Sequence, residues 1–434
     1  MKICYVLNSG DPGGVEQHVL DLTRGMVERG HEVYVVCPWG KMVNKYFEIG
    51  AQVRIDKPQL DVDPFYISRL ARFINKIQPD ILHVHMLKTT VNGLIASKVF
   101  RLSSRILGQP GSPTSAGEAP GAEKCGAPSL PASSLPYTVA HIHTPLPEWQ
   151  IPGWKKKLNI FVNRIISNWA ADVVIALTES RKRVKIEGEG IDPKKIRVIP
   201  NGVDTKNIKL QISNDKADYR KKLGIREDAI LVGTLSRLTV EKGISYLIEA
   251  VPKWPTYKIQ DTKCEILIGG SGELREELED RARELGLQVC VEEKSAAEEA
   301  PGAEECGGSG TTVRFLGFVP EDEKWDYLAA LDIFVFPSLA EGFGISLIEA
   351  MVTGCACLAS DLEVLQEVGG ETVEFFRAGD PQNLAKRLAV LIKDKEKRQS
   401  LGDRAQKRVE KKYSLELVLD NYENLYKELR LNFS

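Results

Sequence analysis

Residues 336–361 read FPSLAEGFGISLIEAMVTGCACLASD, and this stretch decides the fold that we predict for the chain. An apolar strand over 333–336 leads into a loop that contains Glu341 and two glycines. A helical pattern over 345–353 then carries a second carboxylate, Glu349, and another apolar strand follows. Strand, loop, helix and strand in this order form the unit of a parallel sheet. The polar residues therefore gather at the carboxyl end of a strand, where open α/β sheets bind ligands.

Length and charge limit the class of protein. A chain of 434 residues is too long for one ordinary core, so we expect two domains. The formal net charge of -2 argues against nucleic acid as a partner. The first 200 residues contain 26 Lys and Arg against 18 Asp and Glu, a net charge of +8, which leaves -10 for the remainder. A basic first half suits an anionic partner, such as a phosphate-bearing acceptor or a membrane surface, but it also fits an ordinary solvated surface.

Cysteine usage and hydropathy indicate the compartment. The eight cysteines show no Cys-x-x-Cys spacing, and those in apparent strands, Cys4, Cys37 and Cys264, are expected to be buried thiols in a reducing compartment. The first apolar run is too short for a signal peptide. No apolar run approaches the roughly 18 residues that a bilayer span needs. We expect a cytoplasmic protein, or one that lies peripherally on the inner face of the cytoplasmic membrane.

The first predicted domain, 1–203, alternates strands and helices. A buried strand over 2–7 is followed by a turn-rich loop that ends in Gly13-Gly14 and by a helix over 15–29. Glycines at a helix N-terminus let backbone amides approach a phosphate, helped by the helix dipole. Tight-turn glycines without a ligand are the alternative.

The second predicted domain, 204–412, repeats this alternation after a break at Pro200-Asn201-Gly202. A helical segment over 413–434 closes the chain. The predicted fold class is α/β, with two doubly wound Rossmann-like domains that face each other across a cleft.

Two low-complexity segments, 109–135 and 292–310, interrupt this pattern. They share a similar stretch, EAPGAEKCG at 118–126 and EAPGAEECG at 299–307. Their composition cannot bury enough apolar surface to order itself, so we interpret them as duplicated, disordered surface insertions. A partner-binding arm is the alternative.

Cationic and glycine-rich loops follow two strands of the second domain. Arg237 and Lys242 lie five residues apart at a strand-to-helix turn and could converge on one anionic group such as a diphosphate. A solvated charged loop is the other interpretation. The cluster Gly269-Gly270-Ser271-Gly272 would let the backbone approach a ligand.

The two carboxylates of the opening stretch suit one extended ligand. Glu341 and Glu349 would lie roughly 10–12 Å apart along the helix axis, which is too far for an acid/base pair acting on one atom. The glycines and helix amides between them suit a phosphate. Because the helix around Glu349 is apolar, this carboxylate needs a partner from the protein or from a ligand.

Histidines close two strands of the first domain. His143 could be a structural residue or part of a site. His83 and His85 share one face of a strand, but no third ligand is evident from the spacing, so no metal site is predicted.

A basic, apolar helix is predicted from residue 154 to Trp169. Lys155, Lys156 and Lys157 precede apolar residues that share one helical face, and we expect that face to pack on the sheet of its own domain. The lysines could contact anionic lipid, which would fit a lipid-linked acceptor.

Together these clusters resemble the retaining nucleotide-sugar glycosyltransferases of family 4, which have the GT-B fold. The order and spacing of the motifs match over nearly the whole chain apart from the two insertions. The matching motifs are Gly13-Gly14-x-Glu16, Ile142-His143-Thr144, Pro200-Asn201-Gly202-Val203-Asp204, Arg237-x4-Lys242-Gly243, the glycines 269–272, and Glu341-x7-Glu349.

The resemblance implies a donor site in the second domain. Arg237 and Lys242 would neutralise the donor diphosphate, which is the leaving group, and Glu349 would bind the ribose hydroxyls. Glu341 would meet hydroxyls of the donor sugar near its reacting carbon. Donor contacts are also implied for Gly270, Gly342, Phe343, Gly344 and Ile345.

The resemblance also implies contributions from the first domain. Gly13 and Gly14 would bring their loop to the phosphates, and His143 would contact donor or acceptor at the reaction centre. No metal or other cofactor is expected, because cationic side chains and amides stabilise the diphosphate as it develops. In this family the last helix crosses back onto the first domain, which fits 413–434.

The implied activity is that of a retaining, metal-independent hexosyltransferase. It would move a sugar from a nucleotide-diphosphate sugar to a glycan or lipid-linked acceptor, in the assembly of a cell-envelope polysaccharide or glycolipid. Attack on the leaving-group face through an oxocarbenium-like state would need no separate enzyme base. The alternatives are a GT-B nucleotide-sugar epimerase and a non-catalytic nucleotide-sugar-binding module.

Overall fold

The computed structural model describes residues 1–106, 136–212, 216–226, 228–254, 264–291 and 311–431. Both predicted insertions, 109–135 and 292–310, lie outside the described residues. The chain forms two compact units, Met1–Ile199 together with Leu419–Ser434, and Pro200–Val418. We call them unit 1 and unit 2.

Unit 1 is built on a sheet in which all described strand pairs are parallel. Its strands are β1 Lys2–Val6, β2 Glu32–Cys37, β3 Gln52–Ile55, β4 Ile81–His85, β5 Tyr137–His141, β6 Val173–Ala176 and β7 Ile196–Val198. Across the sheet the order is β3-β2-β1-β4-β5-β6-β7. The order reverses between β1 and β4, and such a switch point is where doubly wound sheets bind ligands.

The first and third helices of unit 1 each bury an apolar stripe. In the first helix Val19, Leu22 and Met26 are buried at the three-to-four-residue spacing of one helical face. Asp63 caps the third helix by accepting hydrogen bonds from two backbone N–H groups. The helices are α1 Gly14–Glu28, α2 Met42–Glu48, α3 Pro64–Ile77, α4 Leu87–Ile106, α5 Gly153–Ala170 and α6 Glu179–Glu187.

Unit 2 repeats the parallel design. Its strands are β8 Ile230–Leu235, β9 Cys264–Gly269, β10 Gln288–Val291, β11 Thr312–Gly317, β12 Ile333–Phe336, β13 Ala356–Ser360 and β14 Glu374–Phe376. The order is β10-β11-β9-β8-β12-β13-β14, so the switch point lies between β8 and β12. The loops after these two strands carry the predicted donor-binding residues Lys242 and Glu341.

On one face of the unit 2 sheet, helices pack against alternate strand residues and enclose a largely aliphatic core. The helices that begin in unit 2 are α7 Thr205–Gln211, α8 Lys216–Lys222, α9 Ile244–Ala250, α10 Arg275–Glu284, α11 Glu321–Ala330, α12 Ile345–Val352, α13 Glu363–Gly369, α14 Pro381–Lys393, α15 Lys395–Lys412 and α16 Leu415–Leu431, and the last of these belongs to unit 1 from Leu419 onward.

The last helix, α16, packs on α1 and β4 within unit 1. A Cβ atom at Gly25 would lie 2.3 Å from Cδ1 of Leu419, so this glycine lets the two helices approach closely. Arg29 donates hydrogen bonds to Asp420 at 2.6 Å and to Glu423 at 2.9 Å.

The predicted α/β class with two doubly wound Rossmann-like domains is confirmed by the two parallel sheets. Cys4, Cys37 and Cys264 are buried free thiols as expected, whereas Cys290 is disulfide-bonded. No helix in the described part of the chain is long and apolar enough to cross a membrane.

Candidate active site

A partly buried ion pair joins the two loops at the switch point of unit 2. Nζ of Lys242, after β8, lies 2.5 Å from Oε1 of Glu341, after β12. Ser338 donates a second hydrogen bond to the same oxygen at 2.9 Å. The side chains of Lys242 and Glu341 are only 17% and 10% exposed. A contact of this kind fixes the orientation of the carboxylate at the edge of the sheet.

Backbone contacts hold these loops together. The N–H group of Leu339 donates to the carbonyl of Glu241 at 2.8 Å. Gly243 has φ +63, and a Cβ atom there would lie 2.2 Å from the carbonyl oxygen of Pro337. Only glycine fits this close approach without strain, so the local sequence dictates where Lys242 points.

Arg237 does not converge with Lys242 in this structure. Its side chain is 73% exposed and pairs with Glu241 at 3.4 Å. The expectation that the two cations meet on one group therefore stays a prediction for the ligand-bound protein.

The glycine cluster after β9 packs against the loop that carries Arg237. Gly270 has φ +131, and a Cβ atom would lie 1.8 Å from the carbonyl oxygen of Ser236. The N–H group of Leu238 donates to Ser271 at 2.9 Å. The cluster thus has a structural function, since it positions the β8 loop, and its predicted ligand contact remains a prediction.

Among the described residues, no side chain caps the N-terminal amides of α12. Its N-cap residue, Gly344, has φ +92, and helix formation begins at Ile345. Phe343 is buried and packs edge-to-face on Tyr413 with ring centroids 5.6 Å apart. Uncapped amides at a helix N-terminus favour an anionic group.

Glu349 has a protein partner that the sequence did not identify. Lys324, on α11, contacts it at 2.9 Å and also contacts Glu321 at 2.5 Å. Burial disfavours the Lys324 ammonium, but these two carboxylates outweigh that effect and raise its pKa. Glu349 is therefore held next to a permanent positive charge.

The glycine loop of unit 1 begins α1. Gly13 is the N-cap, in extended conformation and without a side-chain cap, and Gly14 is the first helical residue. A Cβ atom at Gly13 would lie 2.5 Å from Oε2 of Glu16. Burial raises the pKa of Glu16, which is 8% exposed.

His143 belongs to a cluster of buried histidines at the carboxyl ends of β4 and β5. Its Nε2 lies 3.2 Å from Nδ1 of His85, and its ring stacks on His141 at a centroid distance of 3.8 Å. Burial, with the positive charge of Lys185 and neighbouring histidines, lowers the pKa of His143 well below its usual value. His141, which the spacing of the sequence did not single out, places a third ring nitrogen within 4.8 Å of those of His83 and His85.

The apolar face of α5 was interpreted wrongly. Five of its large apolar residues are exposed, although Ile166 packs against the core of unit 1, and the fully buried positions are the small or polar Asn163, Ser167 and Ala170. The exposed residues, which we call the α5 stripe, are Trp154, Leu158, Phe161, Ile165 and Trp169, each between 48% and 71% exposed.

Two family models match this chain. The model of "Glycosyltransferase Family 4" matches residues 12–107 and 125–207, and the model of "Glycosyl transferases group 1" matches residues 228–394. Together they include every site residue described above. The chain belongs to the family 4, group 1 glycosyltransferases. Residues 108–124, which separate the two segments of the family 4 match, fall largely within the first predicted insertion.

Similar proteins occur in archaea and bacteria. An uncharacterized glycosyltransferase of Methanocaldococcus jannaschii is 28% identical over 60% of this chain and 61% of its own length. A phosphatidyl-myo-inositol mannosyltransferase of Mycolicibacterium smegmatis is 26% identical over 92% of this chain and 86% of its own length. The chain spans between about half and three fifths of the length of the first curated relatives that it matches.

The fold of this glycosyltransferase is also found among solved structures. Anabaena HepE, crystallised with UDP and glucose, superposes with a TM-score of 0.73 and 22% identity over 99% of this chain and 100% of that chain. This likeness confirms the GT-B fold that the sequence motifs predicted.

Proposed function

We propose that the protein is a retaining, metal-independent glycosyltransferase that moves a sugar from a nucleotide-diphosphate sugar to a glycan or lipid-linked acceptor. The observation that carries the proposal is the Lys242–Glu341 contact beside the uncapped N-terminus of α12. This arrangement lies at the switch point of a parallel sheet, where such sheets bind nucleotides.

The first task of the site is to stabilise the leaving diphosphate. When the bond from the anomeric carbon breaks, its electrons stay on the phosphate oxygen, and negative charge grows there. The ammonium of Lys242 has three N–H donors, and Glu341 accepts from one of them. The amides of α12 add the positive end of a helix dipole. Arg237 can turn from Glu241 to a phosphate, because an exposed ion pair contributes at most about 1 kcal/mol.

The carboxylates of Glu341 and Glu349 would bind opposite ends of the donor. Glu341, held by Lys242 and Ser338, would accept hydrogen bonds from hydroxyls of the sugar. Glu349, held beside the Lys324 ammonium, would accept hydrogen bonds from the ribose hydroxyls. A preorganised carboxylate needs no rearrangement when the donor binds.

Retention of configuration follows if the acceptor attacks the face that the diphosphate leaves. The acceptor hydroxyl would form the new bond to the anomeric carbon and pass its proton to the departing phosphate oxygen. An oxocarbenium-like state would lie between the two events, and no separate base would be required. His143, neutral because it is buried, could then accept or donate a hydrogen bond but would not supply charge.

The α5 stripe supports a lipid-linked acceptor. Five large apolar side chains on one helical face are exposed beside Lys155 and Lys157, which are also exposed. A helix with this composition binds an anionic membrane surface through its apolar face and its lysines. The relative that matches over most of its length has a phospholipid, phosphatidyl-myo-inositol, in its name. We therefore propose peripheral membrane contact and a place in glycolipid or cell-envelope polysaccharide assembly.

The proposal is tested on the full chain with a panel of nucleotide sugars. Thermal shift identifies the donor, because a ligand that binds the folded state raises the melting temperature. The donor is then incubated with lipid and oligosaccharide acceptors and a chelator, and mass spectrometry follows the products. We expect nucleotide diphosphate to be released only when an acceptor is present, and the acceptor to gain the mass of one sugar. NMR should show that the new glycosidic bond has the same anomeric configuration as the donor. An inverted sugar still attached to its nucleotide would indicate an epimerase, and binding without turnover would indicate a binding module.

A further inference from the structure

Five of the six histidines in the chain form one buried cluster in unit 1. The rings of His83 and His85 stack with centroids 4.2 Å apart, and His18 meets His141 edge-on at 5.6 Å. All are less than 9% exposed. Such a concentration of one residue type in a core is unusual, because histidine is only intermediately buried in proteins.

The fold brings these side chains together at the switch point of the sheet. The parallel pairing of β4 with β5 places His85 opposite His141. His18 projects from α1, and Tyr422 and Tyr426 of α16 cover the cluster. The arrangement therefore draws on two strands and two helices rather than on one local motif.

In His83, His85 and His141 the ring nitrogen Nδ1 already has a partner. Nδ1 of His83 lies 2.7 Å from the hydroxyl of Tyr426, Nδ1 of His85 lies 3.2 Å from Nε2 of His143, and Nδ1 of His141 lies 3.5 Å from the hydroxyl of Tyr422. An imidazole that donates from Nδ1 carries a lone pair on Nε2, which is the form that binds metals.

The other nitrogens have no partner among the described residues. Nε2 of His18, His83, His85 and His141 is buried and makes no hydrogen bond in that part of the chain. Buried polar atoms without partners are rare in native proteins and call for an unseen water or ion.

We propose that His83, His85 and His141 bind one divalent transition-metal ion of the Zn²⁺ type. One ring nitrogen from each residue lies within 4.8 Å of the others. A tetrahedral Zn²⁺ with bonds of about 2.0–2.1 Å needs nitrogens about 3.3 Å apart, so the ring nitrogens must approach one another by up to about 1.5 Å. Imidazole suits Zn²⁺, Ni²⁺ and Cu²⁺ better than Mg²⁺ or Ca²⁺, which prefer oxygen. His18 is the nearest source of a fourth nitrogen.

The proposed ion takes no part in the transfer step and does not depend on the proposed function. It would hold the proton of His85 on Nδ1, directed at Nε2 of His143, and so fix the orientation of that ring. The hydroxyls of Tyr426 and Tyr422 would accept the Nδ1 protons of His83 and His141 and so orient those rings.

Metal binding is measured on the tag-free full chain after removal of metals with a chelator. Calorimetric titration with Zn²⁺ should give one site per chain with a dissociation constant below micromolar, and a rise in melting temperature. Co²⁺ should give the visible absorption of a tetrahedral site. His83→Gln and His141→Gln should each weaken binding at least tenfold. His31→Gln, which changes the one histidine outside the cluster, should bind as the wild type does.

Absence of a stoichiometric site in the wild-type protein would overturn the proposal. So would binding that survives in the His83→Gln/His141→Gln double variant or disappears in His31→Gln. If the cluster variants fail to fold, X-ray absorption of the Zn²⁺-loaded wild type tests the proposal instead. The zinc should then show at least three imidazole nitrogen ligands, and a shell of oxygen ligands alone would contradict the proposal. None of these readouts involves glycosyl transfer, so their failure leaves the proposed function untouched.

Discussion

At the residue scale, Glu341 combines burial, a cationic partner and a hydroxyl donor in one side chain. Glu341→Gln keeps its shape and its contact with Ser338 but removes the charge. We expect acceptor-dependent transfer to fall at least about 100-fold, because a preorganised charge is lost at the reaction centre. The melting temperature should change by only a few degrees, since Lys242 can reach solvent. Steady-state kinetics and calorimetry check both values.

The matched control for this substitution is Glu374→Gln. Glu374 also pairs with cations, Lys397 and Arg387, but in β14 and away from the switch point. Its replacement should leave transfer unchanged. Equal turnover by Glu341→Gln and the wild type would contradict the assignment of Glu341.

Single residues show what sequence could and could not predict about the site. The need of Glu349 for a partner followed from its apolar helix, but the identity of Lys324 did not, because it lies 25 residues away on a helix that the sequence pattern did not single out. His141 was missed for a related reason. Its proximity to His85 depends on the register of two parallel strands, and periodicity predicts faces but not register.

At the element scale, the approach of the β8 and β12 loops depends on Gly243. Gly243→Ala would strain a backbone with φ +63 and would drive Cβ to 2.2 Å from the carbonyl oxygen of Pro337. Left-handed alanine alone costs about 1–2 kcal/mol, and the clash adds to this. We therefore expect a clear fall in stability to urea and at least tenfold weaker donor binding, because Lys242 is displaced from Glu341.

The variant Gly286→Ala separates the effect of backbone strain from the effect of the contact between the two loops. Gly286 has φ +74, and a Cβ atom there meets nothing within 4 Å among the described residues. This variant should lose stability through backbone strain alone and should bind donor normally. Similar donor affinity in Gly243→Ala and Gly286→Ala would show that the loop approach does not matter for the site.

The α5 stripe makes a prediction about membranes. The double variant Leu158→Ser/Phe161→Ser should lose most binding to vesicles that contain anionic phospholipid, measured by flotation, because its apolar contact area is removed. Phe65→Ser is the control, since Phe65 is 81% exposed but lies on α3 outside the stripe. Equal flotation of the two variants would argue against membrane docking, and a concentration-dependent dimer of the wild type would indicate a second copy of the chain instead.

The orientation of α5 explains why its exposed face was not predicted. Apolar spacing identifies a stripe, and the usual inference is that such a stripe packs on the sheet. Here the buried face is polar and bonded internally: Asn163 donates to Glu189 at 2.9 Å, and Ser167 donates to Asn163 at 2.9 Å. Satisfied polar groups can occupy a buried face, and sequence alone does not reveal their partners.

At the scale of the whole molecule, the sequence predicted the architecture because both units repeat one simple unit. Apolar runs bounded by glycine loops predicted parallel strands, and each sheet is doubly wound, with its order reversing beside β1 in unit 1 and beside β8 in unit 2. The polar clusters after β8 and β12 could be expected to meet, since ligand sites form at the switch point. Side-chain directions could not be predicted, as Arg237 shows by turning to Glu241 rather than toward Lys242.

The central claim is that Lys242, at the edge of the unit 2 sheet, promotes departure of a nucleotide diphosphate. The most direct test compares Lys242→Met with Lys253→Met, which alters another lysine beside a glutamate, Glu249, away from the site. Transfer from the nucleotide sugar to acceptor should fall at least about 100-fold in Lys242→Met and stay at the wild-type rate in Lys253→Met, with both variants folded. Wild-type transfer by Lys242→Met would contradict the account.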